Sequence, residues 1–282
     1  MMNELQCLEF ERACAMWQEG KRAEALGSLR KLATGIVDSD DQAGLIYHEI
    51  IWHLDLDDVP GARALLGKLN RIISSIASSS HDSSETAPDV SLTLMAGFAE
   101  ARVLMEERRG SEAFRTLREL ESDFPKQLAL PAFDSIRVQI PILKGMILAN
   151  DDRWAEARPF LEDSPVPPGW EGIASYYLGH LYYSRGEFAK ARDKLVEALS
   201  FELPSRWAYR SYYILGMSEY KLSNMVNARK QLENCANIAD DEFLEEVNVW
   251  GWLEAASRAL GQDVSAAEWR TKSAQRASRK PN

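Results

Sequence analysis

Apolar residues recur at helical spacing through most of the chain, and polar turns divide them into paired segments. In the clearest pair, Leu178 and Tyr182 precede a turn marked by Gly186, and Leu195 follows it. Spacing of three and four residues is typical of a helix that buries one face. Pro204 ends the second segment, because proline lacks the amide hydrogen and clashes with the preceding turn. The pattern therefore predicts two helices joined by a tight turn.

Small residues lie where the two helices of such a pair would touch. Gly179 and Ala191 are 12 positions apart, so one falls within the first helix and the other falls early in the second. A missing side chain at both places lets the helix axes approach each other. Gly216 and Ala228 repeat this arrangement 37 residues later. The two segments are therefore interpreted as copies of one helical hairpin.

The same pattern of paired helices and polar turns extends toward both ends of the chain and predicts six to seven hairpins. Each predicted second helix opens with an alanine shortly after a polar turn; these are Ala25, Ala62, Ala113, Ala157, Ala191, Ala228 and Ala266. Their spacing is 34 to 38 residues from Ala157 onward, and it widens to 51 between Ala62 and Ala113. The array is therefore expected to be regular near the C-terminus and interrupted in the middle.

This pattern resembles the tetratricopeptide repeat, a helical hairpin of about 34 residues. The Leu178-Gly179 pair, the aromatic Tyr182, the following alanine and the closing proline match that family's pattern. The resemblance is strong from Pro141 to Asp240 and weaker over the rest of Leu8 to Ala274. It implies an all-α, right-handed superhelical solenoid of antiparallel helix pairs, whose first helices line a concave groove.

A serine-rich segment coincides with the widest step between repeats. Residues 74–90 are too polar to pack a core, so they are predicted to form a flexible loop. N-terminal hairpins over residues 1–73 precede it, a main helical array over residues 91–274 follows, and residues 275–282 form a basic tail. One continuous superhelix with a protruding loop is expected, because two hairpins alone rarely bury enough apolar surface.

Composition narrows the classes of partner. The chain has 282 residues and a net charge of −10, and phosphate neutralisation requires basic stripes, so no nucleic-acid partner is expected. No apolar run approaches the roughly 20 residues that span a bilayer, so no membrane insertion is expected. The first seven residues lack the basic start and apolar core of a secretory signal. A cytoplasmic location is the expectation.

No motif in the sequence predicts catalysis, a metal site or a cofactor. His48 and His53 are five positions apart, whereas two zinc ligands on one helix face need a spacing of four. Asp55, Asp57 and Asp58 resemble the start of a calcium loop, but the glycine and the closing glutamate of that loop are missing. The chain is therefore predicted not to be an enzyme, and no catalytic residue is nominated.

Candidate binding residues lie on the predicted first helices, on the face that such an architecture turns inward. They are Gln139, Ile142, Met146, Asn150, Tyr176, His180, Tyr183, Arg210, Tyr213, Met217 and Tyr220. Aromatic side chains offer a large contact area at little entropic cost, and Arg210 could hold a carboxylate. Tyrosines at helical spacing also pack between helices, and the sequence leaves both roles open.

One subtype of the family can be compared residue by residue. Tetratricopeptide domains that hold the C-terminal carboxylate of a chaperone use paired lysine, asparagine and arginine on the groove helices. The matching positions here carry Tyr176, His180, Tyr213 and Met217. The departure favours a more apolar ligand.

Three functions follow as alternatives. The first is a non-catalytic adaptor or scaffold that binds a peptide or helical segment of a partner protein. The second is a peptide sensor or chaperone-like module for a secreted client. The third is a structural subunit of a homo- or hetero-oligomer, in which Trp250, Trp252 and Trp269 contribute to the contact. These tryptophans would otherwise form the core of the last hairpin.

Overall fold

The computed structural model describes residues 2–36, 38–79 and 90–277. Within those residues lie sixteen α-helices and one short 3-10 helix, and no β-strand. Contacts between residues divide the chain into two compact units, Met1–Asp151 and Asp152–Asn282. We refer to them as the N-terminal unit and the C-terminal unit.

Helices follow one another along each unit with short connections. The N-terminal unit contains α1 (Glu4–Gln18), α2 (Arg22–Gly35), α3 (Ser39–Asp55), α4 (Val59–Ser79), α5 (Val90–Glu106), α6 (Gly110–Asp123), α7 (Pro125–Leu128), the 3-10 helix (Pro131–Phe133) and α8 (Asp134–Asn150). The C-terminal unit contains α9 (Trp154–Asp163), α10 (Glu171–Ser184), α11 (Phe188–Ala198), α12 (Ser205–Lys221), α13 (Met225–Ile238), α14 (Asp241–Glu246), α15 (Val249–Ala259) and α16 (Asp263–Ala277).

The long helices pack against each other as hairpins with three-residue turns. In the N-terminal unit α1 packs on α2, α3 on α4 and α5 on α6, and in the C-terminal unit α10 packs on α11, α12 on α13 and α15 on α16. The boundary between the units falls in the turn between α8 and α9. Residues 91–274, predicted as one main array, therefore include parts of both units.

All seven predicted alanines occupy the same place in the structure. Each is the fourth residue of its helix, in α2, α4, α6, α9, α11, α13 or α16, and each is at most 2% exposed. Gly179 and Gly216 on the first helices lie as close to the second helices as the sequence predicts. A Cβ atom on Gly179 would lie 2.6 Å from Cγ of Leu195 and 3.3 Å from the carbonyl oxygen of Ala191. Side-chain volume at these positions therefore limits the separation of the helices.

Each of the six hairpin turns, and the turn between α8 and α9, contains one residue in the left-handed backbone region, five positions before the alanine. The φ angles run from 58° to 79°, at Gly20, Asp57, Arg108, Asp152, Gly186, Ser223 and Gly261. In the α10–α11 turn the amide of Glu187 then donates to the carbonyl of Tyr182 at 2.9 Å, which closes the helix end as in a Schellman motif. Asn224 and Glu219 repeat this bond at 2.8 Å in the α12–α13 turn.

The predicted loop over residues 74–90 is wrong at its start, because Ser74 to Ser79 continue α4. Ser74, Ser75 and Ser78 each donate a hydroxyl hydrogen bond of 2.8 Å to a backbone carbonyl three or four residues earlier. Ile76 meanwhile packs on the core shared by α3, α4 and α5. Serine content indicated a loop, but hydroxyl bonds and one apolar face sustain the helix. Residues 80–89 lie outside the described part of the chain.

The ends of the other predicted segments also differ from the structure. The basic tail predicted over residues 275–282 begins inside α16, which runs to Ala277, and residues 278–282 are outside the described part. Two short helices, α7 and α14, were not predicted. Asp240 caps α14 by accepting the amide of Phe243 at 2.7 Å, and this cap brings Phe243 against α12.

Replacing Gly179 by alanine is expected to lower the free energy of unfolding by about 1–3 kcal/mol, because the new methyl group forces α10 and α11 apart. Gly27→Ala is the matched control. A Cβ atom there meets nothing within 4 Å, so the better helix propensity of alanine should leave stability unchanged or higher by about 0.5–1 kcal/mol. Urea unfolding followed by circular dichroism measures both, and equal effects would contradict the close approach.

Arg108→Gly is expected to raise the free energy of unfolding by about 0.5 kcal/mol. Glycine relieves about 1–2 kcal/mol of left-handed strain at this turn. It also raises the conformational entropy of the unfolded chain, which offsets part of that gain in stability. The same substitution at Arg118, inside α6, should instead cost about 1 kcal/mol. The melting temperatures of the two variants should therefore shift in opposite directions from that of the wild type. A shift of both in the same direction would contradict the left-handed conformation of Arg108.

Candidate functional site

The four candidate residues on α8 differ in their accessibility. Ile142 and Met146 are buried, at 1% and 3% exposure, whereas Gln139 is half-buried and Asn150 is exposed. The apolar pair therefore packs inside the protein. Gln139 and Asn150 are the two that present polar groups at the surface of the N-terminal unit.

The candidates on α10 and α12 form one stripe on each helix. Tyr176, His180 and Tyr183 lie at helical spacing on α10, and the α12 stripe is Arg210, Tyr213, Met217 and Tyr220. Tyr176 and Met217 are buried, at 4% and 7% exposure. His180, Tyr183, Arg210, Tyr213 and Tyr220 are half-buried, so part of each remains open to solvent.

Side-chain contacts join the two stripes into one surface of the C-terminal unit. The hydroxyl of Tyr183 donates to Sδ of Met217 at 3.6 Å, which links α10 to α12. Tyr220 meets Trp252 of α15 edge to face, with ring centroids 5.2 Å apart. On the other side, the His180 ring lies 4.3 Å from that of Trp154. We name this surface the aromatic face; its half-buried members are Trp154, His180, Tyr183, Arg210, Tyr213, Tyr220 and Trp252.

Sequence reasoning missed the aromatic rings that support this face from below or at its ends. Trp207 packs against Tyr176 with centroids 5.1 Å apart, and Phe243 packs against Tyr213 at 5.7 Å. Both belong to segments whose helical spacing alone does not place them beside the α10 stripe. Trp252 was considered only as a core or oligomer residue. Its position one hairpin after Tyr220 was the available signal.

Arg210 is a half-buried cation of the aromatic face. Its guanidinium carbon lies 5.5 Å from the centre of the Phe243 ring, and the hydroxyls of Tyr176 and Tyr209 lie beside it. Burial lowers its pKa, but those hydroxyls outweigh burial and the pKa is raised. In the part of the chain that the structure describes, no carboxylate pairs with Arg210 at salt-bridge distance.

Asp240, a carboxylate whose charge interacts with Arg210, has both oxygens engaged elsewhere. Oδ1 accepts the amide of Phe243 at 2.7 Å, and Oδ2 accepts the hydroxyl of Tyr209 at 2.8 Å. These bonds lower the pKa of Asp240, the amide bond having the largest effect. Arg210 thus keeps its charge in a site made mainly of aromatic rings and neutral hydroxyls.

His180, Tyr183 and Tyr213 of the aromatic face are neutral near pH 7. Burial lowers the pKa of His180 to about 4, an effect that nearby Asp152 opposes and Arg210 reinforces. Burial likewise raises the pKa values of Tyr183 and Tyr213 above the ordinary tyrosine value. Arg210 is therefore flanked by groups that carry no charge of their own at that pH.

The histidines singled out in the sequence have structural partners in the N-terminal unit. His48 packs against the ring of Phe10, with centroids 4.9 Å apart. His53 shares hydrogen bonds of 2.7 Å with Arg30 and Asp58, and Arg30 also donates to Glu49 at 2.6 Å. This network ties α2 to α3 and to the α3–α4 turn.

Metal-ligand clusters and membrane-spanning helices are both absent from the described residues. Within residues 2–36, 38–79 and 90–277, no group of three or more histidine, cysteine, aspartate or glutamate side chains is arranged to hold a metal ion. None of the helices in these ranges combines the length and the apolar character that crossing a membrane requires.

Comparisons with known proteins bear on the fold. No family model matches the sequence, and no curated protein is similar to it in sequence. Among solved structures, PilW, described as a widely conserved type IV pilus biogenesis factor, is 15% identical with a TM-score of 0.51, over 82% of this chain and 91% of PilW. The second is a Signal Transduction ATPase with Numerous Domains from Pyrococcus horikoshii, which carries a tetratricopeptide repeat sensor. It is 15% identical with a TM-score of 0.51, over 94% of this chain and 41% of that protein.

These similarities, together with seven equivalent turns and alanines, define the class of fold. The chain is an all-α protein with a tetratricopeptide-repeat-like fold, which confirms the fold class and the resemblance predicted from the sequence. At 15% identity the two structures establish the fold alone. The use of the aromatic face is therefore argued from its own side chains.

The lowered pKa of His180 predicts that the folded protein loses stability in acid. Because the pKa of His180 is about 4 in the folded protein and 6.5 as its reference value, the unfolded chain takes up a proton in this interval that the folded chain does not. Stability should therefore fall as the pH falls from above 6.5 toward 4, and His180 should account for about 1 kcal/mol or more at pH 5.

His180→Gln removes this titration while keeping a polar side chain of similar reach. Its free energy of unfolding should change less between pH 7.5 and 5 than that of the wild type, as measured by urea unfolding at each pH. Parallel curves for the two proteins would show that His180 is not the group responsible.

Proposed function

We propose that the chain is a non-catalytic protein-interaction module, an adaptor or scaffold that binds a peptide or helical segment of a partner protein on the aromatic face. The observation that carries the proposal is the set of half-exposed rings presented by consecutive first helices of the C-terminal unit. Large amphipathic side chains and arginine supply most of the binding energy at protein interfaces.

Packing among the rings prepares the face for binding. Tyr183 is held by Phe188, at 5.6 Å between centroids, and by Met217, while Tyr220 is held by Trp252. A side chain that is already ordered loses little entropy when a partner covers it. Buried Tyr176 and Met217 then act as the supporting layer, and the five half-buried candidates on α10 and α12 are the proposed contacts.

Other predicted features keep the status of proposals. Gln139 and Asn150 are candidate contacts of the N-terminal unit considered by itself. The cytoplasm remains the predicted location. A peptide sensor, a chaperone-like module and an oligomer subunit are the alternatives, and the experiment below distinguishes surface binding on the aromatic face from association through another surface.

A site-specific cross-linking experiment tests the proposal. The full chain would carry the photoreactive residue p-benzoylphenylalanine at Tyr183 or, in a second protein, at Val226, which is 67% exposed on α13. After irradiation in a lysate of the source organism, we expect a partner adduct at position 183 and none at 226. Mass spectrometry of the adduct identifies the partner segment, because the reactive group joins only what touches it.

A paired substitution provides the matched control. Tyr183→Ser with Tyr213→Ser should abolish capture of that partner, whereas Val196→Ser with Val226→Ser, on the second helices α11 and α13, should leave capture intact. Circular dichroism and thermal unfolding verify that both variants fold. Capture that survives loss of the tyrosines, or a cross-link only at position 226, would contradict the proposed face. A cross-link to the chain itself would support the oligomer instead.

A further inference from the structure

We propose that Arg210 anchors an aspartate or glutamate side chain within the bound segment, so that the partner is an acidic as well as an apolar sequence. The inference rests on the proposed function, since it names the chemistry of the segment that the aromatic face receives. Arg210 is not among the positions at which this chain was compared with the chaperone-binding tetratricopeptide domains.

The guanidinium of Arg210 carries more donors than the hydroxyls beside it can accept. A guanidinium carries five N–H donors in a planar fork and cannot lose its charge in a protein. Two neutral hydroxyls, from Tyr176 and Tyr209, lie beside it. They cannot occupy all five donors, and they supply no negative charge. The remaining donors match the two oxygens of a carboxylate, which arginine binds in a bidentate manner.

The protein's own acid, Asp240, is held away from this role. One carboxylate oxygen of Asp240 accepts the amide hydrogen bond that caps α14, and the other accepts the hydroxyl of Tyr209. Moving it to Arg210 would break both bonds. The charge of Arg210 is therefore balanced at a distance by Asp240, and direct contact is left for a group from outside.

The surroundings of Arg210 have low polarity. Phe243 covers one face of the guanidinium, and His180 is uncharged near pH 7. An ion pair formed where rings exclude water is less screened than one on an open surface. Arg210 is half-buried, so it combines partial desolvation with access for a ligand.

The position of Arg210 favours a side-chain carboxylate over a chain terminus. Half-buried rings lie on both sides of α12, which carries Arg210: Trp154 and His180 on α9 and α10, and Trp252 on α15. A segment that ends at Arg210 would leave one of these sides uncovered. An internal acidic residue lets apolar neighbours contact both.

Phage display of random 12-residue peptides, fused so that no peptide has a free C-terminus, tests this inference on the immobilised full chain. Peptides enriched by the wild type should share an aspartate or glutamate at one position relative to apolar residues. Arg192→Gln, a substitution on the second helix α11, should select the same pool. Arg210→Gln should select peptides without that acid, and Tyr183→Ser with Tyr213→Ser should lose enrichment.

A selected peptide and its acid-to-amide counterpart then give a double-mutant cycle by fluorescence anisotropy. The amide peptide should bind the wild type at least 10-fold more weakly, and Arg210→Gln should bind both peptides equally. The comparison of the two peptides on wild-type protein needs no folded variant. Arg210→Lys, which keeps the charge without the planar fork, should recover only part of the preference.

The possible failures separate the two proposals. Peptides that require Tyr183 and Tyr213 but share no acid would overturn the role of Arg210 and leave the proposed function standing. An amide peptide that binds as well as the acid would do the same. No enrichment, or enrichment that the tyrosine substitutions do not affect, would count against both. Binding only when the peptide carries a free C-terminus, in a synthetic version, would reassign the carboxylate to a chain end.

Discussion

Close contact between the two helices of each hairpin is the constraint on which the rest of the structure depends. The fourth residue of each second helix is an alanine with almost no exposed surface, and the three-residue turn before it contains a left-handed residue. The turn fixes the direction in which the chain reverses, and the alanine fixes how near the helices come. Because both recur at the same places, successive hairpins receive the same local geometry from different sequences.

This constraint uses one side of each first helix and leaves another side free. On α10 the packed side includes Gly179, which faces Leu195 and Ala191. The stripe through His180 and Tyr183 lies outside that contact, although the Tyr183 ring also meets Phe188 at the start of α11. The aromatic face is built from such free positions. Its rings nevertheless pack on one another across α10, α12 and α15, which gives the surface order that the hairpins alone do not impose.

The sequence predicts the hairpins well because their cause is local. The alanine lies a fixed number of residues after the turn, and glycine lies opposite it, so repetition reveals both. Left-handed turns at Arg108 and Ser223 are recognisable only by this spacing, since neither residue type favours that conformation. The serine-rich end of α4 was predicted as a loop because composition does not show that Ile76 reaches a core formed with α3 and α5.

The candidate site was predicted less completely, because exposure depends on neighbours that are distant in sequence. Tyr176 and Tyr183 share a stripe on α10, yet Trp207 helps to bury the first while the second stays half open. Phe243 reaches Tyr213 through the unpredicted helix α14. Helical spacing assigns all these residues to one side of a helix. It does not say which of them another element covers, and that difference separates a packing ring from a binding ring.

Arg210 illustrates how stability and binding can be weighed at one position. A half-buried cation loses hydration that its surroundings must replace. Phe243 and two hydroxyls offset this loss, and an apolar residue in its place would have none to offset. The packing of the hairpins does not by itself require a charge at this position. An incoming carboxylate adds the direct ion pair that the described residues do not provide, so binding would gain an interaction that folding does not use.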